Sequence, residues 1–127
     1  MMIKRVLVVD DDAGVCRFLH RAVKSMGMEF VSSATVEDAL QKCSDDRYDV
    51  VMLDYNLFEG EIGWSVAPVI RDDPEVYGSP GIVGMSGTVD LAIVDQLGFS
   101  KKHFDAFLAK PFELSKLKKL FDELLNS

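Results

Sequence analysis

Two short runs of uninterrupted apolar residues, each followed by aspartate, most strongly constrain how this 127-residue chain can fold. Residues 6–9 are Val-Leu-Val-Val before Asp10, and residues 50–53 are Val-Val-Met-Leu before Asp54. A strand with no polar face has to be covered on both sides, which is typical of the parallel sheets of α/β proteins. Further apolar runs predict three more strands, over residues 28–31, 81–85 and 104–109. The chain therefore indicates a five-stranded parallel sheet.

Between these strands, apolar residues recur with the 3.6-residue period of amphipathic helices. Asp12 and Thr35 are the predicted N-caps of the first two helices, and Gly27 is predicted to end the first. Strands and helices alternate without a linker, which predicts one α/β domain over residues 1–127 with helices on both faces of the sheet. The five predicted helices lie over residues 15–26, 36–43, within 62–71 (where Pro68 leaves the boundaries open), 89–93 and 114–125.

Composition and charge exclude several classes of function. An apolar content of 48% can fill a core, whereas a net charge of −7 opposes direct binding to nucleic acid phosphates. The chain has no apolar run of about 18 residues, so no membrane span is expected, and its first apolar stretch is too short for a signal peptide. Cys16 and Cys43 have no CxxC partner and are expected to be buried free thiols. These features predict a cytoplasmic protein.

Polar residues that can carry chemistry follow four of the predicted strands. Asp10 and Asp11 follow the first strand, Asp54 the third, Ser86 the fourth and Lys110 the fifth. Ligands of open parallel sheets bind at the carboxyl ends of the strands, so these residues are expected to form one site. Converging carboxylates repel one another, and a hard divalent cation such as Mg²⁺ relieves the repulsion and leaves room for phosphate. The lysine supplies a compact positive charge suited to a phosphoryl oxygen or to Asp54.

Four motifs occur in order at the ends of these strands. They are Val-Leu-Val-Val-Asp-Asp-Asp at residues 6–12, Met-Leu-Asp at 52–54, Met-Ser-Gly at 85–87 and Phe-Leu-Ala-Lys-Pro-Phe at 107–112. With them the chain resembles, over essentially its whole length, the receiver domains of two-component response regulators. The resemblance implies a flavodoxin-like (βα)5 three-layer sandwich with a sheet of order 2-1-3-4-5, an order also known from a chemotaxis receiver.

The resemblance also implies the acceptor and the metal site. Asp54 would take a phosphoryl group from a phosphohistidine of a sensor histidine kinase or histidine phosphotransfer protein. Mg²⁺, with Mn²⁺ as an alternative ion, would be held by Asp10, Asp11, Asp54 and the backbone carbonyl of Asn56. Such a domain is a signalling switch in a phosphorelay, whose only expected reactions are its own phosphorylation and dephosphorylation.

Further residues take roles in transmitting the signal by the same resemblance. Lys110 would pair with the phosphoryl group, and Pro111 would follow a cis peptide bond that directs the lysine inward. Ser86 is the expected switch hydroxyl and Phe107 the expected rotating aromatic residue. Phosphorylation would then alter the face made by the fourth predicted helix, the fifth strand and the last helix, and so change binding to a downstream output protein or domain.

The chain departs from the receiver pattern in two loops. Phe58 stands where receivers commonly carry proline, and Gly60 and Gly63 lie six and nine residues after Asp54 instead of the usual eight. The loop over residues 56–63 is therefore expected to be reshaped, with Glu59 and Glu61 near the site. The segment of residues 98–104, which leads into the fifth strand, is also longer than the usual turn.

Two other functions remain open at this point. A degenerate receiver would bind partners without phosphate, as the altered loop allows. A small phosphohydrolase with an aspartyl-phosphate intermediate would typically carry a second aspartate two residues after the nucleophile, where this chain has Asn56. The short tail after Leu125 leads us to expect either a stand-alone regulator or a receiver taken from a longer protein.

Overall fold

A five-stranded, entirely parallel sheet forms the centre of the molecule, as seen in a computed structural model that describes residues 3–87 and 101–126. The strand order is 2-1-3-4-5, which confirms the expected flavodoxin-like topology. The strands are β1 (Arg5–Val9), β2 (Glu29–Ser33), β3 (Val50–Asp54), β4 (Gly81–Ser86) and β5 (Ala106–Ala109). The register places the carboxyl ends of four strands side by side: Val9 lies opposite Leu53, Asp54 opposite Met85, and Ser86 opposite Ala109.

Helices cover both faces of this sheet. They are α1 (Ala13–Ser25), α2 (Val36–Asp45), α3 (Val66–Asp72), α4 (Pro74–Tyr77) and α5 (Leu114–Leu125). A 3₁₀ turn, Gly63–Ser65, precedes α3, and Pro68 is tolerated because it lies in the first turn of that helix. The one-turn α4 was not predicted, since four residues are too few to show an apolar period. The predicted helix over 89–93 lies outside the described residues.

The predicted caps are present at the first two helices. The Asp12 side chain accepts the backbone N–H groups of Gly14 and Val15, and the Thr35 hydroxyl accepts that of Asp38. The first helix ends at Ser25, two residues before Gly27. Such caps contribute about 1 kcal/mol each and fix where the loops after β1 and β2 turn into helices.

Alternate residues of the sheet supply two separate cores. Leu7 and Leu53 pack with α2 and α3 on one face, whereas Val8 and Met52 pack with α1 and α5 on the other. All of β3 is buried, which is why its sequence is apolar up to Asp54. No helix in residues 3–87 and 101–126 is long and apolar enough to cross a membrane.

Some predicted strand boundaries and some predictions of side-chain burial were wrong. The second strand starts one residue later and ends two residues later than predicted. The fifth strand starts at Ala106 instead of Phe104, whose backbone N–H donates to the Lys101 carbonyl of the preceding 3₁₀ turn, Lys101–His103. Phe18 and Leu114 were predicted on buried helical stripes, but each is 40% exposed. The Phe18 ring packs edge-on against Phe112, at 5.9 Å between centroids, and not within the core beneath α1. Cys43 is buried, but Cys16 is only half-buried; both are free thiols.

The amino end of β4 is held by an ionic contact on the edge opposite Asp54. The Asp105 carboxylate accepts the backbone N–H of Ile82 at 2.8 Å and pairs with the Arg71 guanidinium. The same guanidinium donates to the carbonyl of Pro80 at 2.8 Å. This network joins α3 to the entries of β4 and β5.

Candidate functional site

Three carboxylates meet at the carboxyl edge of the sheet. One oxygen from each of Asp10, Asp11 and Asp54 lies within 4.8 Å of the others. Asp10 and Asp54 are buried at the ends of β1 and β3, and Asp11 is exposed at the rim. The sequence placed these acids together because parallel strands end at one edge, and the structure brings them there.

Lys110 reaches this cluster from the end of β5. Its Nζ atom donates to Asp10 Oδ2 at 2.7 Å and lies 3.1 Å from Asp54 Oδ1. The second oxygen of Asp10 accepts the Asp12 N–H at 2.9 Å, so both of its oxygens are held. The bond between Lys110 and Pro111 is cis, as the resemblance implies.

The charges of the site are out of balance. Burial, and then the neighbouring Asp10 charge, raise the pKa of Asp54 to about 6 despite the opposing contact with Lys110. Burial alone would lower the pKa of Lys110, but its hydrogen bonds and ion pairs with Asp10 and Asp54 outweigh burial and raise it. Three carboxylates facing one ammonium leave two negative charges in excess, which a divalent cation would neutralise. Clustered carboxylate oxygens are the donors that Mg²⁺ prefers, so the residues present fit this ion.

Ser86 and Asn56 flank the acidic cluster. Ser86 ends β4 with 2% of its surface exposed, and its carbonyl accepts the backbone N–H of Lys110 at 2.8 Å. Asn56 lies two residues beyond Asp54 and is exposed at the start of the loop that follows β3. The role of its backbone carbonyl as a metal ligand is a prediction from the resemblance.

The loop after β3, residues 56–62, which we call the acceptor loop, closes on itself. Asn56 and Ile62 form an isolated antiparallel bridge, and the Leu57 N–H donates to the Glu61 carbonyl at 2.8 Å. Glu59 and Gly60 turn the chain at its tip, with φ of 61° and 78°. The predicted reshaping is thus a small hairpin.

Gly63 makes the close approach that brings the chain back after this hairpin. A Cβ atom at this position would lie 2.0 Å from the carbonyl oxygen of Asp54. No side chain fits there. The closed acceptor loop therefore accommodates the spacing of nine residues between Asp54 and Gly63. The need for glycine at this position follows from its contact with the Asp54 carbonyl, which the sequence does not show.

Trp64 packs beneath the site. It is fully buried, and its Nε1 atom donates to the carbonyls of Leu53 at 3.0 Å and Met85 at 3.2 Å. These carbonyls belong to the residues immediately before Asp54 and Ser86. The indole therefore links the ends of β3 and β4, a role that no local sequence pattern indicates.

Phe107, the expected rotating residue, lies inside an aromatic cluster. Its ring centroid is 5.4 Å from that of Trp64 and 4.9 Å from that of Phe104. Gly84, its neighbour on β4, leaves the space: a Cβ atom there would lie 2.9 Å from the Phe107 ring. The inward position of Phe107 thus depends on the missing side chain at residue 84.

The fold and the edge cluster define the class of this protein. The model of the response regulator receiver domain matches residues 6–122. The chain therefore belongs to the receiver domain family. Receiver domains of this family occur in response regulators and histidine kinases, which is consistent with phosphorelay signalling.

Individual relatives agree with this assignment. The transcriptional regulatory protein PrrA of Mycobacterium tuberculosis is 31% identical over 116 residues, which are 89% of this chain and 46% of that protein. Hybrid signal transduction histidine kinase L of Dictyostelium discoideum is 28% identical over 122 residues, 94% of this chain and 7% of the kinase. The chain thus spans less than half the length of either relative.

A solved structure gives the same comparison in three dimensions. The response regulator TrrA of Thermotoga maritima, crystallised in complex with Mg(2+)-BeF, superimposes with a TM-score of 0.81 at 28% identity. The match covers 97% of this chain and 100% of that one.

Proposed function

We propose that this receiver accepts a phosphoryl group on Asp54 in a Mg²⁺-dependent reaction and thereby changes its binding to a partner protein. The donor is a phosphohistidine of a sensor histidine kinase or of a histidine phosphotransfer protein. The observation that carries this proposal is the position of Lys110, whose ammonium contacts both Asp10 and Asp54 within a cluster of three carboxylates. The protein acts as a switch and not as a metabolic enzyme.

The metal would be held by Asp10, Asp11 and Asp54, with the Asn56 carbonyl as a further ligand. Mg²⁺, or Mn²⁺ in its place, supplies positive charge that neutralises the carboxylates and the phosphoryl oxygens. The chain itself positions the acceptor: burial at the end of β3 and the contact with Lys110 hold the Asp54 carboxylate in one place. Positioning of this kind is most of what phosphoryl transfer requires.

In the transfer step, a carboxylate oxygen of Asp54 forms a bond to phosphorus while the phosphorus–nitrogen bond of the phosphohistidine breaks. The imidazole leaves with the electron pair of that bond. Lys110 exchanges its contact with Asp54 for one with a phosphoryl oxygen, and Asp10 continues to hold its ammonium group.

The switch proposed for the signal runs through Ser86 and Phe107. Ser86 donates its hydroxyl hydrogen to the phosphoryl group, which draws the end of β4 towards Asp54. Phe107 then leaves its inward position, and the face made by β5, α5 and the predicted helix over 89–93 changes its affinity for an output protein or domain. Among the relatives, the hybrid kinase supports a kinase as the upstream partner, and the transcriptional regulator supports an output domain downstream.

The test is a titration with Mg²⁺ and beryllofluoride, a phosphoryl mimic, followed by Trp64 emission and amide NMR shifts. We expect a saturable change that needs both components and disappears in Asp54→Asn. No response to the mimic together with no Mg²⁺ binding, in a protein whose NMR spectrum shows it folded, would instead favour a degenerate receiver. Steady turnover of small phosphate esters would establish a phosphohydrolase.

Phosphoryl transfer itself is tested with phosphoramidate, a small donor whose phosphorus–nitrogen bond resembles that of phosphohistidine. Mass spectrometry should show one added phosphoryl group in the presence of Mg²⁺ and none in Asp54→Asn. An adduct that persists in that variant would refute Asp54 as the acceptor.

A further inference from the structure

We infer that Glu61 is a positioning residue for the metal site, because it ties the acceptor loop to the first turn of α2 and so holds Asn56 in place. The inference rests on the proposed function, since it assigns a role towards the metal that the function requires. It concerns the loop in which the chain departs from the receiver pattern.

The first contact joins the loop to a distant helix. Glu61 Oε1 accepts the backbone N–H of Val36, the first residue of α2, at 2.6 Å. The Thr35 hydroxyl accepts the N–H of Asp38 in the same turn, so the two side chains satisfy different free N–H groups of this helix end. A carboxylate at a helix N-terminus also interacts favourably with the helix dipole.

The second contact passes through the backbone of the same residue. The carbonyl of Glu61 accepts the Leu57 N–H, and the next residue, Ile62, forms the bridge to Asn56. The side chain of Glu61 is therefore fixed to α2 while its backbone is fixed to the residues that follow Asp54. A displacement of Glu61 would be passed directly to Asn56.

The tip of the loop is exposed and includes an unfavourable backbone conformation. Phe58 is 74% exposed, so burial contributes little there, although Leu57 at the base is 5% exposed. Glu59 adopts a φ of 61°, a left-handed conformation that is unfavourable for a residue with a side chain. Loss of the Glu61 contact should therefore loosen the loop.

A competing explanation is charge alone. Any acid near the site raises the local affinity for a cation, and Glu59 lies two residues away on the same exposed loop. Glu59 therefore provides a matched control, because its removal takes away the same charge and leaves the contact with Val36 in place. Glutamine at position 61 separates the effects further, since it removes the charge and retains an oxygen acceptor.

The experiment measures the Mg²⁺ dissociation constant by NMR titration for the wild type, Glu61→Ala, Glu61→Gln, Glu59→Ala and Glu59→Gln. Loss of one hydrogen bond predicts that Glu61→Ala binds Mg²⁺ about fivefold more weakly than Glu59→Ala. Glu61→Gln should recover much of this difference. Hydrogen exchange at the amides of Val36 and Leu57 should accelerate in Glu61→Ala and remain unchanged in both Glu59 variants.

Equal dissociation constants for Glu61→Ala and Glu59→Ala would show a pure charge effect and overturn the inference. Unchanged exchange at Val36 and Leu57 would overturn it as well, because the tie would then not hold the loop. If the wild type binds no Mg²⁺, the proposed function and the metal role of Glu61 both fail. If the wild type binds Mg²⁺ and responds to beryllofluoride while these variants match their controls, only this inference fails.

Discussion

Asparagine in place of Asp54 should stabilise the metal-free protein, although it removes the proposed acceptor. The pKa of Asp54 is raised from 3.8 to about 6 in the fold, chiefly by burial and by Asp10. A carboxyl that holds its proton more tightly when folded destabilises the folded state once it ionises, and this cost grows as pH rises from about 4 to about 6. Asparagine has nearly the same shape and carries no charge.

The magnitude follows from the shift in pKa. A rise from 3.8 to about 6 corresponds to about 3 kcal/mol above pH 7, and to about half of that at pH 5. We therefore expect Asp54→Asn to be more stable than the wild type by about 3 kcal/mol at pH 7.5, with the advantage shrinking as pH falls towards 4.

The assay is urea unfolding in EDTA at pH 7.5 and pH 5, with Asp72→Asn as the control. Asp72 is an exposed acid at the far end of α3, and its replacement should change the unfolding free energy by less than about 0.5 kcal/mol. Added Mg²⁺ should narrow the difference between Asp54→Asn and the wild type, because it binds the wild-type carboxylates. A variant no more stable than the wild type at pH 7.5 in EDTA would refute the electrostatic account of the site.

Three further predictions follow from contacts around the site. Gly63→Ala places a Cβ atom 2.0 Å from the Asp54 carbonyl oxygen. We therefore expect the free energy of unfolding in urea to fall by at least about 2 kcal/mol and Mg²⁺ binding to weaken. Wild-type values for both would contradict that contact. Lys110→Ala removes a contact that lowers the pKa of Asp54, so NMR titration of the Asp54 carboxyl should give a pKa above about 6. In the same variant, phosphorylation should no longer change partner binding, and normal coupling would count against the role of Lys110. Gly84→Ala crowds Phe107 and Trp64. It should lower the free energy of unfolding by about 1–3 kcal/mol and shift the emission of the single tryptophan. An unchanged emission spectrum would show that the position of Phe107 does not depend on the missing side chain at residue 84.

The sheet and the acidic cluster could be predicted because local sequence determines them directly. Fully apolar strands such as β3 have to be buried on both faces, and parallel strands present Asp10 and Asp54 at one edge whatever the loops do. The caps at Asp12 and Thr35 are likewise local, since each side chain bonds to N–H groups two or three residues ahead.

The contact of the acceptor loop with α2 and the contacts of Trp64 could not be predicted because they join residues that are far apart in the chain. Glu61 bonds to Val36 and Trp64 bonds to Met85, and no local pattern indicates either pairing. Phe18 shows a different error: its spacing places it on the apolar stripe of α1, but 40% of its surface is exposed. Periodicity identifies the direction of a side chain and not how much protein lies in that direction.

The ionic contact at the amino end of β4 determines which part of that strand can be displaced. Arg71 and Asp105 clamp its first residues to α3 and to the start of β5, whereas its last residue, Ser86, stands beside the carboxylates. The amino end of β4 is therefore held more firmly against α3 than its carboxyl end is. A displacement that begins at Ser86 would therefore be greatest at the carboxyl end of β4 and smallest at its amino end, where Asp105 and Arg71 hold the backbone.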